Sequence, residues 1–321
     1  LMLDLKDGIS ADYSFEIAAR PKEKFKVARE RCVVQHFMRS EEVSFEIRDG
    51  EFLKPIPGIQ PKIFPDRLAL YAASAIEAFR PVYDFLTAFQ VYAIAPQRLR
   101  ELQEPDPGDL LNRDGSNAAA VLKRLQEQKS SEHYQRLCRL LARVVEGVER
   151  VEYRAAGRME TLQFRQDVGS KYPWTFESLN MSDGTLRVLG LLLAVTQPGN
   201  PTMVAIEEPE ATVHPAVAEL LFDVFLDAAQ ERQVLMTTHS PDILDSKTLK
   251  DSQIRAVTMK RGKTWISPLA PSSREAIRDR LYTPGELLRA DELEPDLEIA
   301  QKAAEQLNLF GPPIPEDREW S

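Results

Sequence analysis

The chain has 321 residues, which is enough for two packed subdomains or for one large α/β domain with an insertion. Hydrophobic residues make up 43% and charged residues 28%, and a net charge of −9 excludes a surface coated with positive charge for non-specific nucleic-acid binding. Two distant cysteines exclude a disulfide framework, and no apolar run is long enough to span a bilayer. We therefore expect a cytoplasmic protein that does not contact membranes.

Short alternating runs near the N-terminus predict an antiparallel β meander. The runs are Tyr13–Arg20, Phe25–Gln35 and Val43–Arg48. A proline-rich connection, Pro55–Pro65, follows them, and the next sequence is helical over Asp66–Phe79 and Val82–Phe89.

The middle of the chain predicts a helical insertion between strands. A short strand near Val91–Ile94 comes first, and two amphipathic helices follow over Asn117–Gln128 and Glu132–Val145. Strands resume at Val148–Arg154 and Met159–Gln166. We expect residues 1–165 to form an N-terminal lobe that combines the meander with this insertion.

From Leu179 the pattern alternates between helix and buried strand, which is typical of a parallel α/β core. A hairpin over Gln253–Lys260 and Thr264–Leu269 follows the core, and the remaining sequence is charged and helical. We expect a second lobe over residues 166–270 and a helical tail over residues 271–321. The predicted fold class is therefore α/β, with a mixed sheet, flanking helices, a β meander and a helical insertion.

Two acids follow directly after a continuous apolar run. The run is Thr202–Ile206, and Glu207 and Glu208 come next. A fully apolar run is typical of a central parallel strand, and ligands of such sheets bind just beyond the C-terminal strand ends. Glu207 can support a hydrated magnesium ion, and Glu208 can polarise a water molecule for attack on a γ-phosphate. The alternative is an acidic turn that only caps the strand.

A histidine follows the next apolar run along the chain. His239 comes after Gln233–Thr238, and the helical sequence Ala216–Gln230 lies between the two apolar runs. A βαβ unit of this kind would bring His239 to the same sheet edge as the acids. There an imidazole can contact a γ-phosphate or hold the attacking water, although a lone histidine is more often structural.

A third motif precedes the apolar helix Leu186–Thr196. Ser182 and Asp183 are good helix-capping residues, and Gly184 allows close backbone approach. The free amides of such a helix start form an anion site. The alternative is an ordinary capped helix in the core.

Together the three motifs resemble the ATP-binding-cassette class of ATPases, in particular its RecF-like and SMC-like branch of stand-alone prokaryotic AAA-type proteins. In that class a signature motif, an acidic Walker B strand and a switch histidine occur in this order. The corresponding segments here are Met181–Thr185, Ile206–Glu210 and Thr238–Ser240. The resemblance implies a P-loop NTPase core with ATP and Mg²⁺ as cofactors.

By this resemblance Glu207 would bind Mg²⁺, Glu208 would be the general base and His239 would sense the γ-phosphate. Ser182, Asp183 and Gly184 would bind the γ-phosphate held by the opposite subunit. Hydrolysis would then require a homodimer with ATP sandwiched between the subunits. Relatives of this type serve in DNA repair or phage defence, so DNA and a separately encoded effector such as a nuclease are the expected partners.

The phosphate-binding loop of the family, Gly-x-x-x-x-Gly-Lys-Ser/Thr, does not occur in this sequence. The one Gly-Lys-Thr triplet, Gly262–Thr264, lies in the predicted hairpin turn and lacks the upstream glycine. We expect that the Walker A segment lies upstream of Leu1, and that the chain as given hydrolyses ATP poorly. The alternative is a non-catalytic interaction module, while an AAA+ ring motor fits less well because the signature segment belongs to the cassette class.

Overall fold

The structure is a computed structural model that describes residues 1–20, 24–37, 41–127, 132–197, 199 and 201–306. It forms two compact units, one comprising Leu1–Ala88 with the described residues from 301 onward, and the other comprising Phe89–Ala300. The predicted lobes divide the chain elsewhere, at residues 165 and 270, and they stay predictions. The predicted α/β class, with its β meander and helical insertion, is confirmed. The proline-rich C-terminal end lies outside the described residues.

The first unit contains a five-stranded antiparallel sheet in which each strand pairs with its neighbours in chain order. Its strands are β1 (Met2–Leu5), β2 (Ile9–Arg20), β3 (Lys24–His36), β4 (Glu41–Arg48) and β5 (Glu51–Lys54). Tyr13, Cys32 and Phe45 are fully buried on one face of the sheet, where they form a core with residues of the following helical segment. The meander prediction is therefore confirmed.

The predicted helix over Asp66–Phe79 is wrong in extent, because the structure has only α1 (Leu70–Ala73) there before α2 (Arg80–Thr87). The carboxylate of Glu30, on β3, accepts hydrogen bonds from the backbone amides of Ala69 at 2.6 Å and Leu70 at 2.9 Å. These amides belong to the helix start, where no intrahelical partner exists for them. A buried acid on a distant strand thus determines where α1 begins.

The second unit is built around a three-stranded parallel sheet. The central strand β10 (Met203–Glu207) pairs with β6 (Phe89–Tyr92) on one side and with β11 (Gln233–Thr237) on the other. Helix α6 (Asp183–Thr196) precedes β10, and helix α7 (Pro215–Ala228) connects β10 to β11. The predicted βαβ unit is confirmed, and each predicted strand agrees with the observed one to within two residues.

Helix α6 is buried on nearly all sides, because its apolar residues form the centre of the main core. Gly190 allows this helix to pack closely against the segment that leaves β6. A β-carbon at Gly190 would lie 2.5 Å from Cγ2 of Ile94. The absence of a side chain at Gly190 therefore allows α6 to come this close to the segment after β6.

The helical insertion and the remaining strands complete the second unit. It contains α3 (Pro96–Arg100), α4 (Ala118–Glu127), α5 (Glu132–Val144), and an antiparallel sheet of β7 (Val148–Ala156), β8 (Met159–Gln166) and β9 (Trp174–Glu177). After β11 come α8 (Pro241–Leu244), the hairpin β12 (Arg255–Lys260) and β13 (Lys263–Pro268), and helices α9 (Pro271–Arg278), α10 (Pro284–Arg289) and α11 (Leu297–Gln306), whose residues from 301 onward belong to the first unit. None of the helices among the described residues is long and apolar enough to cross a membrane.

Candidate nucleotide site

The acids and the histidine lie together at the C-terminal edge of the parallel sheet. Glu207, the last residue of β10, is in register with Thr237, the last residue of β11. Glu208 follows Glu207 directly, and His239 follows Thr237 after one intervening residue. The Nε2 atom of His239 is 3.9 Å from Oε1 of Glu208, and both side chains are exposed. The prediction that the βαβ unit brings these residues to one edge is confirmed.

Glu208 has a backbone conformation that is uncommon for a residue other than glycine. Its φ angle is 42°, in the left-handed region. Its amide donates to the carbonyl of Thr237 at 3.1 Å, which extends the strand pairing by one residue. Backbone strain of this kind persists only where the surroundings hold it, and it concentrates at functional sites.

Glu210 connects the turn after β10 to the segment that carries His239. Its Oε1 atom accepts a hydrogen bond from the hydroxyl of Thr238 at 2.6 Å and another from the amide of His239 at 3.1 Å. Sequence reasoning assigned no role to this residue, although it is the third acid in the Glu-Glu-Pro-Glu segment. Glu210 therefore determines where the backbone of His239 lies relative to Glu208.

Arg187, on the first turns of α6, connects that helix to two strand ends. Its guanidinium donates to the carbonyls of Ile94, Glu207 and Glu208, the last at 2.9 Å. Desolvation lowers the pKa of Arg187, while the nearby charges of Glu208 and Glu210 act in the opposite direction. Sequence reasoning gave Arg187 no role.

A second arginine, Arg113, contacts the acid proposed to bind metal. Its Nη2 atom is 3.0 Å from Oε1 of Glu207. Sequence reasoning missed it, because Arg113 lies 94 positions earlier in a loop between α3 and α4.

The start of α6, which carries the signature-like segment, is capped as predicted. The Ser182 hydroxyl accepts a hydrogen bond from the amide of Thr185 at 3.1 Å. Gly184 packs against the turn after β10, where a β-carbon would lie 3.1 Å from the carbonyl oxygen of Thr212. A larger residue at position 184 would have to displace backbone atoms.

Asp183 is held by an ion pair and an adjacent hydrogen bond. The Nη2 atom of Arg100, on α3, lies 2.5 Å from the Asp183 carboxylate and also donates to the carbonyl of Met181 at 2.9 Å. Within the described part of the chain, no hydrogen bond or ion pair joins the segment 182–184 to the two acids or the histidine. The structure thus brings Glu207, Glu208 and His239 to one edge of the sheet. It places residues 182–184 separately, at the start of α6.

The carboxylates at the sheet edge suit magnesium better than a metal whose ligands must all come from the protein. The described residues include no group of three or more His, Cys, Asp or Glu side chains that could hold a metal ion. Mg²⁺ commonly uses one or two carboxylates and completes its shell with water and phosphate oxygens. Glu207, which is exposed at the strand end, can serve as such a carboxylate.

Comparisons with solved structures find SMC heads and ATP-binding cassettes. The SMC head domain from Thermotoga maritima is 12% identical over 82% of this chain and 75% of its own, with a TM-score of 0.37. The Smc head domain from Pyrococcus furiosus with the C-terminal domain of ScpA is 12% identical over 82% of each chain, with a TM-score of 0.42. An ATP-binding cassette of an ABC transporter in its ADP conformation is 14% identical over 74% and 73%, with a TM-score of 0.33.

These scores are low, and the family assignment does not depend on them. No curated protein matches this sequence. The family described as "AAA domain, putative AbiEii toxin, Type IV TA system" matches residues 79–245, which include α6, β10, β11 and every candidate site residue. The chain therefore belongs to this family of AAA-domain proteins.

Proposed function

We propose that this protein binds ATP with Mg²⁺ at the C-terminal edge of its parallel sheet and hydrolyses it. The observation that carries the proposal is the approach of Glu208 to His239, 3.9 Å apart at the ends of adjacent parallel strands. Ligands of parallel sheets bind at this edge. Hydrolysis of a γ-phosphate requires a group that orients and deprotonates water, and groups that stabilise the developing charge.

The two acids would divide these tasks. Glu208, whose carboxylate is unengaged except for the approach of His239 among the described contacts, would act as the general base toward a water molecule. His239 would contact the γ-phosphate or hold that water. Glu207 would help to hold Mg²⁺, which supplies charge stabilisation at the phosphate oxygens. Glu207 is one methylene longer than the aspartate of many relatives, and it would contact the metal directly or through a water molecule.

The signature-like segment would act on nucleotide bound by another copy of the chain. Ser182 and Gly184 lie at the start of a helix of 14 residues, where free amides and the helix dipole favour anions. They share no described contact with Glu207, Glu208 or His239. As the resemblance to cassette ATPases implies, a nucleotide would contact both groups from two protomers, in a dimer that ATP holds together.

The ATP cycle would serve DNA repair or anti-phage defence, or would control a partner effector such as a nuclease. The family description names a toxin of a toxin–antitoxin system, which supports a defence role. A net charge of −9 argues against DNA binding that is purely electrostatic. A partner protein or a local arginine-lined surface would have to provide that contact.

The test is a Glu208→Gln substitution in the full-length protein. Glutamine keeps the shape of the side chain but cannot accept the proton. Steady-state ATP turnover should fall by about 10² or more. Size-exclusion chromatography with light scattering should show an ATP-bound dimer that persists.

Glu219→Gln is the matched control, because Glu219 is an exposed acid on the helix that connects the two strands. It should leave turnover unchanged. Equal turnover in wild type and Glu208→Gln would reject the general-base role. Absence of turnover in both proteins would favour the alternative function, a non-catalytic interaction or regulatory module.

A further inference from the structure

Arg113 is an exposed cation placed at the edge where the nucleotide is proposed to bind. Its side chain is 65% exposed, and the described contacts of its guanidinium are with Glu207 alone, at 3.0 Å. Glu207 is the first of two consecutive acids at this strand end, Glu207 and Glu208. The guanidinium of Arg113 neutralises the first of them.

The loop that carries Arg113 is held to the strand end by its backbone. The carbonyl of Arg113 accepts from the amide of Ala93 at 2.9 Å, and the carbonyl of Asp114 accepts from the amide of Ala95 at 3.0 Å. The loop thus runs beside the segment that leaves β6. The side chain of Arg113, in contrast, is exposed.

A buried amide holds the loop from the other side. Asn117 is 3% exposed, and its Oδ1 accepts a hydrogen bond from the amide of Asn112 at 2.8 Å. Its Nδ2 donates to the carbonyl of Leu110 and to the carboxylate of Asp106, each at 2.9 Å. This arrangement fixes the place from which Arg113 extends.

An exposed ion pair contributes little to stability, so the pair with Glu207 does not by itself give the Arg113 side chain a structural role. A guanidinium is, however, well suited to phosphate, because its planar fork matches two phosphate oxygens. The carboxylate that Arg113 contacts is the one proposed to lie beside the metal and the terminal phosphate. A bound polyphosphate would therefore compete with Glu207 for the same cation.

We infer that Arg113 is a further phosphate-binding residue, which pairs with Glu207 in the free protein and turns to the terminal phosphate of bound ATP. This inference rests on the proposed function and adds a residue to that site. The first test measures ATP and ADP affinity by calorimetry in the full-length protein, for wild type, Arg113→Ala and Arg113→Lys. Arg113→Ala should weaken ATP binding about tenfold or more and ADP binding by much less, and lysine should restore part of the loss.

Arg278→Ala is the matched control. Arg278 is 63% exposed, close to the exposure of Arg113, and its ion pair with Asp251 is 2.9 Å long, but it lies on α9. Its replacement should change neither affinity. A purely structural role for Arg113 would lower ATP and ADP affinity equally and would not be rescued by lysine.

A second test uses tripolyphosphate in metal-free buffer and needs no catalysis. Glu207→Gln removes the competing carboxylate charge, so tripolyphosphate should bind more tightly to this variant than to wild type. The gain should disappear in the double variant Glu207→Gln/Arg113→Ala. A gain that persists in the double variant, or ATP affinity that is unchanged in Arg113→Ala, would overturn the inference. If Glu208→Gln still abolishes turnover in that case, the proposed function stands and only the role of Arg113 fails.

Discussion

The guanidinium of Arg187 donates to the main-chain carbonyl of Glu208 at 2.9 Å. It joins the helix that begins with Ser182 to the end of the strand that carries the acids. The same side chain also bonds to the carbonyl of Ile94 at the end of β6. A displacement of the helix start would therefore move the donor that binds the Glu208 carbonyl. The left-handed conformation of Glu208 depends on such contacts with its surroundings.

Replacement of Arg187 by alanine should reduce both stability and turnover. Three carbonyl groups lose a charged donor, so the free energy of unfolding should fall by about 2 kcal/mol. Turnover should fall by about 10², because small displacements of a catalytic group are costly. Urea unfolding and steady-state ATPase assays on the full-length protein measure the two effects.

Lysine at position 187 separates charge from geometry. It keeps the positive charge but lacks the planar fork that reaches several carbonyls, so it should recover only a small part of the activity. Arg165→Ala is the control, because Arg165 pairs with Glu149 on the antiparallel sheet. Full activity in Arg187→Lys would show that the charge alone matters and that the positioning role is wrong.

Glu210 provides a prediction about the position of His239. Its Oε1 atom accepts from the Thr238 hydroxyl and from the His239 amide. Glu210→Gln keeps an oxygen that can accept these bonds, whereas Glu210→Ala leaves both donors without this partner. The alanine variant should lower kcat by about tenfold with a smaller change in KM, and the glutamine variant should remain close to wild type.

Steady-state kinetics on the two variants distinguish positioning from charge. If glutamine and alanine impair kcat to the same extent, the negative charge of Glu210 is what matters. In that case the hydrogen bonds to the histidine segment do not explain its effect.

Glu30 predicts a pH dependence of stability in the first unit. Burial raises the pKa of this carboxyl, while hydrogen bonds from Ala69, Leu70 and Tyr13 oppose the shift. Because the folded state binds the proton more tightly than the unfolded chain, the contribution of Glu30 is fully present below the unfolded pKa of 4.5. It is lost as the pH rises through the higher folded pKa.

Urea unfolding of wild type and Glu30→Gln at a series of pH values checks this prediction. Glutamine does not titrate in this range, so the difference in unfolding free energy between the two proteins should favour wild type progressively less as the pH rises above 4.5. Glu51→Gln is a suitable control, because Glu51 is an exposed acid on the same sheet. A difference that does not vary with pH would show that the pKa of Glu30 is not raised.

Much of the second unit was predictable from local pattern. The apolar runs that became β10 and β11 end in polar residues, and a connecting helix between such runs produces a parallel pair. Glu207, Glu208 and His239 could be placed at one edge for this reason, because their positions follow from where the two strands end. Whether they catalyse hydrolysis stays a prediction that the experiments above test.

The sequence by itself thus determined the strands, the βαβ unit and the acids and histidine at its edge, since each depends on residues close together in the chain. Only the tertiary structure determined which groups the arginines contact and at which residue α1 begins. Arg113 meets Glu207 across 94 positions, and Glu30 meets Leu70 across 40. An isolated arginine or glutamate carries no periodic signal, so its partner emerges only when packing brings distant segments within hydrogen-bonding distance.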